Sequence, residues 1–398
     1  MVPLVPPPPR MALAATTPRA FSCACGRPVF FRNSQCLGCL RPLGYDPERR
    51  LLLALERVRP NGWREAGVPV RRARRYLRCA NLGSAAACNW LLDAAEAQAG
   101  FTLCRCCRLT RTLPDLSQPN AGLWWLRIEQ AKRRLVSSLI GLNLPVQPKA
   151  EDPQGGLAFD LLLAPPGGPA VITGHADGLI TLDASEADDA NREARRGQLG
   201  EPYRTLLGHL RHETGHHYWQ RLVGPTHWLE PFRALFGDER EDYAAALQRH
   251  YSAGPPADWG QHFVSAYASS HPWEDWAETW AHYLHLVDTL DTARSFGLDG
   301  ERVELSYERF SPELLADTGD VQAAGFLGLI NGWMELTGVL NELSRSMGVA
   351  DFYPFVLSAP AVRKLHLVHR VVHGAAQAPP ALASVRPGMP LAPAVHRH

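Results

Sequence analysis

The pentapeptide His212-Glu213-Thr-Gly-His216 sits within an apolar pattern, Leu206, Leu207, Leu210 and Leu222, that Gly224-Pro225 brings to a stop. That pattern predicts a helix of about five turns. Residues four apart share a helix face, so His212 and His216 can each direct an imidazole nitrogen at one metal ion, and zinc suits this donor pair. Glu213 then lies beside a water that a bound zinc would acidify to a pKa of about 7, where a carboxylate can take its proton. The competing reading is a helix that merely carries surface histidines, and its helical context decides between the two. His209 lies on the same face one turn earlier and His217 turns away from it; neither is expected to bind metal.

A catalytic zinc takes three protein donors and leaves one position for water, so a third donor is expected, most simply downstream. A third His in metzincin spacing is excluded, because Trp219 stands where that pattern needs Gly and Leu222 where it needs His. The segment from Tyr267 to His285 predicts a second helix. Pro272 suits its first turn, and Trp273, Trp276, Trp280 and Leu284 recur at helical spacing as a buried stripe. Glu274 and Glu278 share another face. One carboxylate can bind zinc while the other, a turn away, hydrogen-bonds the free nitrogen of a ligand His and fixes its orientation. Glu274 is assigned as ligand and Glu278 as its support, with the reverse order left open. An isolated Glu pair would be read as exposed charge on an amphipathic helix; here the two histidines require a further donor. Glu230 and Glu239 are nearer in sequence. The run from Phe236 to Tyr243 reads more simply as a loop and the start of a polar helix, and Glu239 stays as the fallback ligand.

With a Glu on a later helix as third ligand, the chain resembles gluzincin-type peptidases, and most specifically their lethal-factor branch. That branch carries a Tyr seven residues before its ligand Glu and a second Glu one turn after it. Here Tyr267 precedes Glu274 by seven and Glu278 follows it by four. The resemblance implies that Tyr267 donates a hydrogen bond to the developing oxyanion or to the leaving amine. A phenol so aimed stabilises charge that appears only in the transition state. A core aromatic is the alternative for Tyr267.

All nine Cys fall within the first 107 residues, the distribution of metal sites rather than of a disulfide scaffold. Cys23-Ala-Cys25 and Cys36-Leu-Gly-Cys39 form two knuckles whose four thiolates can close around one tetrahedral structural zinc. Cys79, Cys88, Cys104 and Cys107 make a looser second set, with Cys106 left over; free thiols, or Cys106 in place of Cys107, are the alternatives. Structural zinc contributes folding free energy directly, which is how a module this short can be stable. Between the sets runs Arg71-Arg-Ala-Arg-Arg75. A formal net charge of +1 gives no global polyanion signature, so nucleic acid is not the expected partner, and a protein partner through the zinc ribbon is the better reading.

A composition of 45% hydrophobic and 20% charged residues is that of a globular protein long enough for two domains. Trp124 through Leu144 reads as one helix. Leu157 to Leu163, Ala170 to Thr173 and Gly178 to Leu182 read as short strands, the last two joined by a turn at His175-Ala-Asp-Gly178. From Asp183 onward the chain reads as mostly helical. In zinc peptidases of this general build an edge strand lies above the metal helix and pairs with an extended substrate, a use of β-augmentation.

The stretch from about residue 20 to about residue 300 also resembles a bacterial family of zinc-binding metallopeptidases with an amino-terminal zinc ribbon. The resemblance is carried by Cys23-Ala-Cys-Gly, Cys104-x-x-Cys107 with the following Arg-Leu-Thr-Arg-Thr-Leu-Pro-Asp-Leu-Ser, Gly200-Glu-Pro-Tyr-Arg-Thr-Leu-Leu-Gly-His, Phe236-Gly-Asp-Glu-Arg and His271-Pro-Trp-Glu-Asp-Trp-Ala-Glu.

The fold class expected is α+β: a zincin-like, mostly helical catalytic domain with a small sheet, preceded by a zinc-ribbon module. Its expected divisions are a disordered extension over 1–20, the cysteine-rich module over 21–115, the catalytic domain over 120–370, and a disordered Ala/Pro-rich tail over 374–398. The expected chemistry is zinc-dependent hydrolysis of peptide or amide bonds, with Glu213 and Tyr267 as catalytic residues. One catalytic zinc and one or two structural zincs would serve it. The alternative is a binding module whose zincin domain is silent. The opening residues lack the continuous apolar run of a signal peptide, and no stretch is expected to reach a membrane span. Thiolate sites without an export signal make a cytoplasmic location the expected one.

Overall fold

Short antiparallel strands build the cysteine-rich region, and its Val29, Leu43, Tyr45 and Trp90 join the main apolar core. In the computed structural model, which describes residues 17–165, 167–199, 204–298, 303, 307–315 and 317–377, β1 (Ala20–Ser22) pairs with β2 (Pro28–Phe30). A meander follows, β3 (Leu43–Asp46), β4 (Leu51–Val58) and β5 (Gly62–Glu65), and then the pair β6 (Leu77–Arg78) and β7 (Leu91–Leu92). Helices α1 (Ala94–Gln98) and α2 (Arg105–Arg108) lead to β8 (Thr110–Thr112). Here the expected division at residue 115 meets a sheet that crosses it. β8 runs parallel to β9 (Ala158–Leu162), in a four-stranded sheet of order β10-β11-β9-β8.

The long α3 (Ala121–Gly141) lies between β8 and β9 and begins three residues earlier than its apolar pattern suggested. The hairpin of β10 (Gly174–Ala176) and β11 (Leu179–Asp183) turns on Asp177 and Gly178, at φ of 46° and 74°. Two consecutive positive φ values are what a two-residue type I′ turn requires, and Asp-Gly meets the need. That turn corrects the expected strand: pairing falls on 174–176, not on Ala170 to Thr173, because register is counted back from the turn. β10 is one of the two edge strands and packs on the helix that carries the histidines.

The remainder is helical: α4 (Asp189–Leu199), α5 (Leu206–Leu222), α6 (Leu229–Phe236), α7 (Tyr243–Ala253), α8 (Trp259–His262), α9 (Pro272–Ser295), α10 (Ala323–Ser346) and α11 (Ala359–Gln377). Thr205 caps α5 by accepting from the Gly208 N–H, and His271 caps α9 by accepting from the Trp273 N–H, with Pro272 in the first turn. α9 is the central helix, packed by α5, α10 and α11. Its Trp276, Trp280 and Leu284 are wholly buried, as their spacing predicts.

Charge also ties the parts together. Asp288 on α9 accepts Arg19 at 2.8 Å, Arg134 of α3 at 2.6 Å and Arg211 of α5 at 2.7 Å. The Thr17 N–H reaches Asp291 at 2.9 Å, so residues 17–20, expected within a disordered extension, are anchored in the helical core. Residues 1–16 of that extension lie outside the described residues. The expected tail likewise starts late, since Gly374–Gln377 continue α11; residues 378–398 lie outside the description.

One expectation is corrected outright. α10 is long and apolar enough, by length and composition, to cross a membrane. In the fold its Phe326, Ile330 and Trp333 are buried, and it packs on α9 and α11.

Candidate metal centre

Antiparallel or crossed helices meet closely only where side chains are small, and α5 meets α9 at Gly215. A Cβ there would lie 2.9 Å from the Ala277 Cα and 3.2 Å from the Trp280 Cβ. The Gly215 carbonyl accepts the Trp276 indole N–H at 2.9 Å across the same contact. This approach places the His face of α5 against the Glu face of α9. Nε2 of His212 lies 3.0 Å from Glu274 Oε2 and 3.2 Å from His216 Nε2, while His216 Nε2 lies 3.6 Å from Glu274 Oε1.

All three side chains are buried, so the surface-histidine reading of the motif fails. Donors set about 2.0–2.1 Å from a tetrahedral zinc are separated from one another by about 3.3 Å, so this trio fits zinc in spacing as well as in chemistry. Charge agrees. Burial alone would lower the basicity of His212, yet the flanking Glu274 and Glu278 raise its pKa to about 10, which marks a pocket arranged for a cation.

Glu278 does not join the trio. Its Oε1 lies 2.7 Å from Nδ1 of His212, and its Oε2 accepts the Ser265 hydroxyl at 2.6 Å. Burial would raise this carboxylate, but His212 and then His282 and Ser265 hold it down at about 2. In position, Glu274 faces both His Nε2 atoms, and Glu278 faces the far nitrogen of one. Glu213 is buried beside His212 on α5. Tyr267, on a short 3-10 turn over Tyr267–Ser270, places its ring 6.0 Å from that of His212 and 5.8 Å from that of His250.

The other candidates are engaged elsewhere. His209 pairs with Glu186 at 2.5 Å, and His217 is buried against Tyr218 and His175, its basicity lowered by burial. Glu239, the fallback ligand, is instead bound by Arg233 at 2.6 and 3.0 Å, and Glu230 also reaches Arg233.

Three neighbours of the centre escaped the sequence reading. Tyr243, at the start of α7, donates to Glu274 Oε1 at 2.6 Å. Trp273 lies 4.1 Å, ring to ring, from His216. His175 on the edge strand lies 6.3 Å from His216, and its Nε2 accepts the Gly178 N–H at 2.9 Å; burial and then His216 lower its pKa to about 3. Asp242 caps α7 by accepting from the Ala245 N–H, where the sequence indicates the start of a polar helix, but nothing in the spacing links Tyr243 to Glu274.

The cysteines gather as two sets of four, Cys23, Cys25, Cys36 and Cys39, and Cys79, Cys88, Cys104 and Cys107. Sγ separations of 3.6 Å (Cys23 to Cys39), 3.7 Å (Cys25 to Cys36) and 3.7 Å (Cys88 to Cys104) match thiolates about 2.3 Å from one tetrahedral zinc. The N–H groups of Cys39 and Gly38 point at Cys36 and lower its thiol to about 6. Cys106 is buried outside both sets, so Cys107 is the fourth member of the second.

The family described as "Putative zinc-binding metallo-peptidase" matches residues 122–371, and one described as a zinc-ribbon domain matches residues 20–118. Three relatives, one from Mycobacterium bovis and two from strains of Mycobacterium tuberculosis, each bear the name of an uncharacterized protein. Each is 41% identical over 356 residues, which is 89% of this chain and 95% of the relative. No solved structure matches the chain.

Proposed function

The chain belongs to the "Putative zinc-binding metallo-peptidase" family, and from that premise we propose that it hydrolyses amide bonds of peptides or proteins at the His212, His216 and Glu274 centre. The observation that carries the proposal is the convergence of three buried donors at zinc-ligand spacing, with Glu213, next to His212 in the chain, also buried. His212, His216 and Glu274 would hold the catalytic zinc, in a gluzincin-like arrangement, and the two cysteine sets would hold structural zincs. When bound, a zinc ion supplies Lewis acidity, polarising a carbonyl oxygen and making water a stronger acid.

The chain's own groups do the rest. Glu213 takes a proton from the attacking water and passes it to the leaving amine nitrogen. Glu278, against Nδ1 of His212, fixes the tautomer that leaves Nε2 as the donor and holds the ring in place. Tyr267, with its ring near His212, donates its hydroxyl proton in a hydrogen bond to the oxyanion. Edge strand β10, beside α5, pairs with an extended substrate backbone. The ribbon is a surface for a protein partner, and the reduced thiolate sites suit the cytoplasm.

The test is a proteome-derived peptide library incubated with the wild type and with Glu213→Gln and read by mass spectrometry. Cleavages present with the wild type and absent with the variant are expected. Full retention of every cleavage by Glu213→Gln sinks the general-base role. Zinc found only at the cysteine sets, with none lost on His212→Ala, replaces the proposal with a silent zincin domain that serves binding.

A further inference from the structure

The two oxygens of Glu274 stand in different settings. Oε2 is the oxygen against His212, at 3.0 Å. Oε1 stands 3.6 Å from Nε2 of His216 and accepts the Tyr243 hydroxyl at 2.6 Å. An O–H···O⁻ contact of this length is charge-assisted and among the stronger hydrogen bonds a protein makes. Tyr243 is also well supported. It is the first residue of α7, where Asp242 caps the helix by accepting from the Ala245 N–H, and its ring meets His271 at 5.1 Å and Trp273 at 6.1 Å, both edge to face. His271 caps α9 and Trp273 lies in its first turn, so the phenol is braced by the same helix end that presents Glu274.

We propose that Tyr243 is a positioning residue that limits Glu274 to one-oxygen coordination through Oε2 and so keeps the fourth position of the centre open. The inference rests on the metal reading given above. A carboxylate can bind a metal through one oxygen or through both. With two histidines, both oxygens would make four protein contacts and occupy the position that catalytic zinc sites reserve for water or substrate, which could then enter only as a fifth ligand. The hydrogen bond from Tyr243 draws electron density from Oε1 and fixes the plane of the carboxylate, which favours Oε2 as the donor. Tyr267 has a separate place, near His212 and His250.

The test uses the full chain with zinc kept in the cysteine sets and the His/Glu centre emptied with phenanthroline, then refilled with Zn2+ or Co2+. Tyr243→Phe should weaken Zn2+ at this centre by ~10–100-fold in a competition titration, the range found for lost supports of metal ligands. It should also turn the visible Co2+ band from the strong absorption of a four-coordinate site into the weaker one of a five-coordinate site. Tyr243→Met, which also removes the donor, should show the same five-coordinate band, and it serves as the second variant if circular dichroism shows Tyr243→Phe unfolded; a wild-type band in it overturns the one-oxygen role. An unchanged band in Tyr243→Phe overturns the one-oxygen role, whatever happens to affinity. Wild-type protein that takes up no metal sensitive to His212→Ala overturns the metal reading instead, and that result is visible before any Tyr243 variant is made.

Discussion

Glu278 Oε1 stands 2.7 Å from Nδ1 of His212, so a carboxylate one turn beyond Glu274 on α9 governs a histidine on α5. Glu278→Gln keeps the shape and an acceptor but removes the charge. Zinc affinity at the His/Glu centre should fall by ~10–100-fold while zinc in the cysteine sets is retained. A competition titration with a fluorescent chelator decides it, and an affinity equal to the wild type would remove Glu278 from the account.

Gly215 is one of the two unspecified positions of the His-Glu-x-x-His pattern, yet the fold leaves no room there. Its absent Cβ would press on the backbone of Ala277, which cannot rotate away. Gly215→Ala should cost about 1–3 kcal/mol, the range for overpacking, and lower the melting temperature accordingly. Because any relief moves α5 from α9, metal affinity should fall with it. A stable variant with full affinity would show that the helices have slack.

Acid should weaken the region around α4 and α5 through Glu186. Burial would raise this carboxylate, but His209 and Arg204 outweigh it and hold the pKa at about 2 against an ordinary value of 4.5. A depressed acid adds stability that is complete above the unfolded pKa and disappears as pH falls through the folded one. The window is therefore roughly pH 4.5 down to about 2, and the full effect is on the order of 3 kcal/mol. Thermal melts at pH 5 and about pH 3 should show a smaller acid loss for Glu186→Gln than for the wild type. Equal losses would mean that Glu186 does not drive it.

The two cysteine sets should differ in reactivity. Cys25 is exposed and Cys39 half-buried in the first set, whereas all four members of the second are buried. A thiol-directed mercurial should release zinc in two phases, the fast one lost in Cys25→Ser. A single phase would mean that exposure does not set the rate.

Much of the centre was legible in one dimension because helices repeat. His212 and His216, and Glu274 and Glu278, are each four apart, and Pro272 with the Trp stripe gave the second helix its start and its buried side. The cysteine sets were legible for the same local reason in the two knuckles, and less so for Cys79 and Cys88, which loops bring to Cys104 and Cys107. The strand at 170–173 was misplaced because an Asp-Gly turn sets register from the turn outward, and composition alone does not locate the turn's corner.

By itself the sequence determined which groups could bind metal and that two helices and two cysteine sets would present them, since those choices depend on residue type and local period. Only the tertiary structure decided which Glu faces both imidazoles, that Glu239 belongs to Arg233, and that Tyr243 reaches Glu274 from a third helix. The physical reason is the close contact of α5 and α9 at Gly215: where two helices may touch fixes which turn of one opposes which turn of the other, and no local periodicity carries that information.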